Sequence, residues 1–158
     1  MEAKKIFIAS SSEMRTERLE IVDLLMDLND KYEDAGIRFE PVIWEYMDSS
    51  MRETRKEDDY LKEMVKCQIC IVMFWRTLGE YTVEEFEVAL KEMQANKNIK
   101  AVYLLFKEPD DKIVLELSQF KQICKTTYQD ITYYFDSASK LRRHVAELLL
   151  LHSTPSAH

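Results

Sequence analysis

Glycine is nearly absent from this sequence: Gly36 and Gly79 are the only two in 158 residues. Neither a GxGxxG dinucleotide fingerprint nor a P-loop occurs, which excludes the two commonest glycine-built phosphate cradles. Histidine is as scarce, with three residues and none before His144, so no His-based triad and no two-His metal site can be drawn in most of the chain. No apolar run approaches the roughly 18 residues of a membrane helix, and the N-terminus carries no signal-peptide pattern. A cytoplasmic protein without a membrane partner is therefore expected. Basic residues are outnumbered, 22 against 29, giving a net charge of −7. Lys and Arg are scattered among acids, so no basic face is offered to phosphates and no nucleic-acid partner is expected. Three cysteines, an odd number, do not form a disulfide framework. Cys67 and Cys70 make a CxxC, yet no second CxxC or neighbouring His completes a metal site. A thioredoxin-type pair belongs in the turn after a strand, whereas these two straddle the start of one. They are expected on opposite faces, as small apolar fillers.

What is present is an alternation of short apolar runs with amphipathic ones. At 46% hydrophobic and 32% charged residues, the composition is that of an ordinary globular domain. The length suits one domain, expected over residues 1–152, with a disordered tail at 153–158. Strands are expected at 5–9, 38–46, 69–75, 101–106 and 131–135. Helices are expected at 13–35, from near 57 to 65, at 82–95, at 112–124 and from a Ser137 cap to about 151. In the first helix the expected core stripe is Leu19, Val22, Leu25, Met26 and Leu28, with Gly36 closing it and Arg15 and Arg18 at the surface. In the third helix the expected seam is Val83, Phe86, Leu90 and Met93. Thr82 and Glu85 have the spacing of a capping box, with Thr82 as N-cap.

Five βα units in sequence predict a parallel sheet with helices on both faces, a flavodoxin-like α/β three-layer sandwich. The expected strand order is 2-1-3-4-5, and Pro41 suits strand two to an edge because proline cannot donate to a ladder. In such sheets ligands bind beyond the carboxyl ends of the strands, where the order reverses between strands one and three. That crevice is built from Ser10-Ser11-Ser12 and from residues 74–81, with Glu85 one turn into the following helix; Trp44 ends strand two nearby.

The residue types at this place narrow the chemistry. A phospho-receiver needs acids after strand one and an Asp ending strand three; here stand Ala9-Ser10-Ser11 and Trp75-Arg76. A flavodoxin-type phosphate loop has the hydroxyls of SSSEMRT but lacks its glycine. Hydroxyls and free N–H groups at a helix start suit a phosphate or ribose. Trp75 and Tyr81 suit stacking on a planar ring. A lone carboxylate suits an oxocarbenium-like centre during cleavage of a glycosidic bond. An ordinary glycosidase needs a second carboxyl group to protonate its leaving group. Nicotinamide departs from NAD⁺ already cationic and leaves neutral, so one carboxylate suffices.

FIASSSEMRTERLEI, the strand end FEPVIWE and above all CQICIVMFWRTLGEYTVEEFEVAL resemble the Toll/interleukin-1 receptor (TIR) superfamily, in particular TIR-like domains of bacterial multidomain proteins. The resemblance covers roughly residues 4–107. It implies hydrolysis or cyclisation of NAD⁺ by a Glu in the first turns of the helix after strand three, a position matched by Glu85. It departs in having Tyr81 where a Trp is common, and Glu84 and Glu87 flank the position as rivals. On a helical wheel Glu84 points away from the apolar seam, whereas Glu85 flanks it beside Ala89. The expected site is then Glu85 as catalytic carboxylate with Ser10, Ser11, Trp44, Trp75, Arg76 and Tyr81 around NAD⁺, which is substrate, so no cofactor or metal is expected. The resemblance further implies self-association through the loop at 46–59, an attached sensor domain, and a role in antiviral or cell-suicide defence. Two other classes fit the same residues: an assembly module without turnover, and another single-Glu N-glycosidase such as a nucleoside deoxyribosyltransferase.

Overall fold

The computed structural model describes residues 1–43, 45, 57–79 and 82–155. Its elements run β1 (Glu2–Ser10), α1 (Arg15–Lys31), β2 (Ile37–Val42), α2 (Glu57–Met64), β3 (Ile69–Phe74), α3 (Thr82–Gln94), β4 (Ala101–Lys107), α4 (Leu115–Thr127), β5 (Thr132–Phe135) and α5 (Ala138–Leu150). All five strands pair in parallel in the order β2-β1-β3-β4-β5. Every residue of β3 is buried, which is why its sequence is apolar without alternation. Pro41 lies opposite Ile6 on β2, the sheet edge, where a missing N–H is tolerated.

The period-two alternation of each strand divides the core into two layers. Ile6, Ile8, Ile71, Met73 and Leu105 face α1 and α5. Phe7, Val72, Phe74, Leu104 and Phe106 face α2, α3 and α4. In the second layer Phe74 stacks on Phe106 at 5.2 Å, while Phe86 of α3 meets Phe120 and Tyr128 of α4 edge-on at 5.8 and 5.2 Å. Such ring pairs contribute about 0.5–1.5 kcal/mol each beyond their buried area, so they lock α3 to α4. Between α1 and α5 Arg142 reaches Glu20, Asp23 and Asp27 at 2.8–3.0 Å. The two aspartates are more than two-thirds exposed, and exposed pairs are worth about 0–1 kcal/mol. Apolar contact therefore holds α5 to α1, through Leu141, Val145, Leu148 and Leu149 against Ile21, Leu24, Leu25 and Leu28.

Several elements differ from the sequence expectation. The long first helix is a short 3₁₀ turn, α1, and a second 3₁₀ turn at Glu33–Ala35, closed as expected by Gly36 at φ 75°. Its buried stripe is Ile21, Leu24, Leu25 and Leu28, continued toward the N-terminus by Glu17 and Arg18; Met26 is 64% exposed. Two charged residues on the inward face shift the apparent apolar phase. The α3 stripe is likewise Thr82, Glu85, Phe86 and Ala89, with Val83, Leu90 and Met93 only half-buried. The fourth helix starts at Leu115 rather than 112, because Val114 is extended and gives its N–H to the Arg76 carbonyl at 2.8 Å. Ser137 caps α5 as expected, its hydroxyl accepting from the Lys140 N–H at 3.2 Å.

Cys67, Cys70 and Cys124 are free and buried, all in the layer beneath α2–α4. Cys67 precedes β3 and escapes the strand alternation that was expected to set it opposite Cys70. Burial pushes the Cys67 and Cys124 thiols up to about 12. The chain beyond α5 is not a free tail through Thr154: Lys4 Nζ donates to the His152 and Thr154 carbonyls at 2.8 and 2.9 Å, and His152 Nε2 bonds the Tyr103 hydroxyl at 2.8 Å.

Candidate functional site

Strand order reverses at β1, whose Ser10 is level with Met73 of β3, and the chain leaves both strands at the same end of the sheet. The two exits are stitched together by Glu13. Its Oε2 accepts from the Ser11 hydroxyl at 2.9 Å, from the Thr77 N–H at 2.8 Å, and from the Thr77 hydroxyl. Burial raises the Glu13 carboxyl, but the bonds from Thr77 and Ser11 outweigh it and hold the group below its ordinary value. A Cβ on Gly79 would meet Thr82 Oγ1 at 2.3 Å and Ser11 Cα at 3.2 Å, so only glycine permits this approach of the two loops.

The first loop is braced from behind by Arg18, which is 4% exposed. Its Nη1 donates to Ser10 Oγ at 2.6 Å and to the Ser11 carbonyl at 2.9 Å, and its Nε to both Glu45 oxygens at 2.6 and 3.1 Å. Sequence pattern placed Arg18 at the surface; the buried stripe runs through it, and a counter-ion 27 residues away carries no local signal. The same bonds commit the Ser10 hydroxyl and the Ser11 carbonyl to protein partners. The Ser11 hydroxyl is committed too, as a donor to Glu13.

The helix α3 opens at Thr82 itself. The Thr82 N–H goes to the Gly79 carbonyl at 3.3 Å, and the buried hydroxyl has no hydrogen-bond partner. The hydroxyl half of the expected capping box is therefore not made, because Thr82 already has helical position and turns its side chain inward. One turn on, Glu85 is 3% exposed on the inward stripe, while Glu84 and Glu87 are exposed. Burial first, and then the nearby Glu85 charge, push the Cys70 thiol well above its ordinary value. Glu85 thus stands on the β3 face of α3, in the turn that follows the Gly79–Ser11 contact.

Trp75 turns to the other side of the sheet, against the layer shared by α1 and α5. The Arg76 guanidinium lies 3.5 Å and Lys107 Nζ 4.0 Å from the centre of its ring, and its indole N–H donates to the Pro109 carbonyl at 2.8 Å. The structure therefore gathers Ser11, Gly79, Thr82 and Glu85 at one end of β1 and β3, and leads Trp75 away from them. Arg76 Nε is buried without a hydrogen-bond partner. Trp44, Tyr81 and residues 46–56 of the loop after β2 lie outside the described residues. Among the described residues no group of three or more His, Cys, Asp or Glu is arranged to hold a metal ion. No helix among them is long and apolar enough to cross a membrane.

An all-parallel β2-β1-β3-β4-β5 sheet covered by helices on both faces defines a flavodoxin-like α/β fold, one that TIR domains share. Among solved structures the chain is similar to the crystal structure of the RPS4 and RRS1 TIR domain heterodimer, with TM-score 0.51 and 13% identity over 95% of this chain and 97% of that one. At that identity the likeness concerns the fold. RosB with bound intermediate OHC-RP is more distant, with TM-score 0.38 and 16% identity over 95% and 81% of the two chains. No family model matches the sequence, and no curated protein matches it.

Proposed function

We propose that this domain is a NAD⁺ glycohydrolase with Glu85 as its catalytic carboxylate. The observation that carries this reading is the burial of Glu85, 3% exposed in the first turns of α3 at the topological switch point, between two exposed glutamates. A charge kept inward at the carboxyl end of such a sheet, beside the crevice, is a functional-site candidate. In the reaction the bond between nicotinamide and ribose breaks, and its electron pair goes to the pyridine nitrogen, which becomes neutral. The Glu85 carboxylate offsets the charge that grows on the ribosyl carbon. Water then adds to that carbon and loses a proton to give ADP-ribose; attack from within the same molecule gives a cyclic product instead. Ser11 and the N–H groups beginning the first helical turn are proposed to meet the NAD⁺ phosphates. Trp44 and Tyr81 are proposed to hold the nucleotide, while Arg76 stays with Trp75 on the other face of the sheet. Self-association through the loop at 46–59, a sensor domain on the same polypeptide and a role in cell-suicide defence belong to the same reading.

The test is nicotinamide release from NAD⁺ at high protein concentration, with and without a crowding agent, for the wild type and Glu85→Gln. Turnover that falls about 100-fold in the variant, with the melting temperature kept, is the expected result. Turnover that survives would move the role to another residue. The RPS4 and RRS1 structure is a heterodimer of TIR domains, which favours an assembly module as the second reading. Oligomers that form without any nicotinamide release would decide for it. Release of a free base from nucleosides but none from NAD⁺ would point to a different N-glycosidase.

A further inference from the structure

The strand β2 lies at the edge of the sheet and pairs with β1 alone. An edge strand presents a row of N–H and C=O groups that can template another strand. One side chain shows which residues form that row. Asn29 of α1 grips the Phe39 backbone at both groups, its Nδ2 donating to the carbonyl at 3.0 Å and its Oδ1 accepting from the N–H at 2.7 Å. Phe39 therefore turns its backbone away from β1, and by the alternation of a parallel ladder so do Ile37 and Pro41. Gly36 fits this count, since its carbonyl turns inward and accepts from the Glu2 N–H at 2.7 Å. Proline brings no N–H, so Phe39 is the centre of the outward row. The Asn29 amide fills that centre as the peptide group of a neighbouring strand would.

Other contacts already hold β2 in place. Ile37 and Phe39 are buried, and Tyr32 meets the Phe39 ring edge-on at 6.2 Å. The register with β1 runs unbroken from Ile37 to Val42. The two Asn29 bonds add closure of the edge, and the edge they close is self-complementary. When two copies are set antiparallel about a two-fold axis at Phe39, the two Phe39 residues exchange both of their bonds. Each Ile37 N–H then reaches the Pro41 carbonyl of the other copy. In the flanking pairs Arg38 stands opposite Glu40 of the other copy, at the close spacing where cross-strand opposite charges attract. Arg38 is exposed and Glu40 half-buried, and among the described residues neither is in an ion pair.

We propose that the β2 edge is a self-pairing surface for a second copy of this chain, and that Asn29 is the guard that keeps it shut. The surface uses none of the residues assigned to the NAD⁺ crevice or to the loop at 46–59, and it stands whether or not NAD⁺ is cleaved. Sedimentation of the full chain over a range of concentrations tests it. Asn29→Ala, a substitution that favours the helix it sits in, should form a dimer at least tenfold more tightly than the wild type. Adding Arg38→Glu should weaken that dimer at least tenfold by setting like charges opposite each other, and adding Glu40→Arg as well should restore it. The Phe39 amide should exchange hydrogen faster in dilute Asn29→Ala than in the wild type, and slow again as the dimer forms. Asn29→Gln, one methylene too long to hold both groups, covers the case in which Asn29→Ala does not fold. A folded variant with the wild-type mass at every concentration, a dimer indifferent to the charge at residue 38, or a Phe39 amide left unprotected in the dimer would each overturn the proposal. Failure of both variants to fold would overturn it too, since Asn29 would then be structural.

Discussion

The two faces of the sheet treat buried charge differently at its carboxyl end. Beneath α1, Arg18 and Glu17 lie on the inward stripe, and Arg18 is answered by Glu45, Ser10 and the Ser11 carbonyl. Beneath α3, Glu85 occupies the inward stripe among Thr82, Phe86 and Ala89, over a layer that includes all three cysteines. A cation tied to three separate groups fixes geometry. Glu85 is an acid set over an apolar layer, beside the crevice at the carboxyl end of the sheet. Burial alone does not separate a brace from the catalytic role proposed for Glu85.

Breaking the brace should give the largest effect. Arg18→Ala strands Glu45, itself only 16% exposed in the side chain, and loosens the first loop. Removing one member of a buried pair costs about 3–5 kcal/mol, read as a drop in the urea midpoint at constant slope. Glu85→Gln keeps the shape of the side chain and should cost less than Arg18→Ala. If it matched Arg18→Ala in cost, both charges would be structural and the contrast would collapse.

Next in size is Gly79→Ala. The added methyl meets Thr82 Oγ1 and the Ser11 backbone, so one loop must move, at about 1–3 kcal/mol by the usual cost of overpacking. Because both sides share this contact, the substitution should lower stability and nicotinamide release together, which equilibrium unfolding and the release assay can read on one preparation.

Acid sharpens the comparison with the smallest effect. The Glu13 carboxyl titrates below its ordinary value of 4.5 when folded. Its bonds to Thr77 and Ser11 therefore contribute fully above the unfolded pKa and are lost as pH falls through the folded one. Glu13→Gln should cost about 1 kcal/mol near neutral pH, after allowance for its partial exposure, and converge with the wild type in acid. Urea midpoints at pH 7 and pH 3 that differ by the same amount in both proteins would remove Glu13 from the stitch.

Much of this architecture is legible in the linear pattern, because five short apolar runs and five amphipathic ones leave few ways to cover a parallel sheet. The strand order and the edge position of Pro41 follow from the same pattern. Periodicity failed where charge goes inside: Glu17 and Arg18 occupy core positions of α1, so the sequence stripe drifted toward Met26. The same cause hid Glu85 at the centre of the α3 stripe, where a seam through Val83 and Leu90 had set it on the flank. Alternation at the end of β3 sends Trp75 to the opposite face from Phe74. Long-range partners such as Glu45 for Arg18 and Lys107 for Glu17 leave no mark on local sequence.

The bonds from Lys4 to the carbonyls of His152 and Thr154 bring the first strand and the last described residues together at the amino-terminal edge of the sheet. Lys4 and Thr154 are thus neighbours in space. A short linker would join these two points, and an opening could be made in the exposed turn at residues 95–98 between α3 and β4. Such a circular permutant would keep every strand neighbour and leave the carboxyl end of the sheet untouched. Anything attached beyond these two points would stand at the opposite end of the sheet from Glu85.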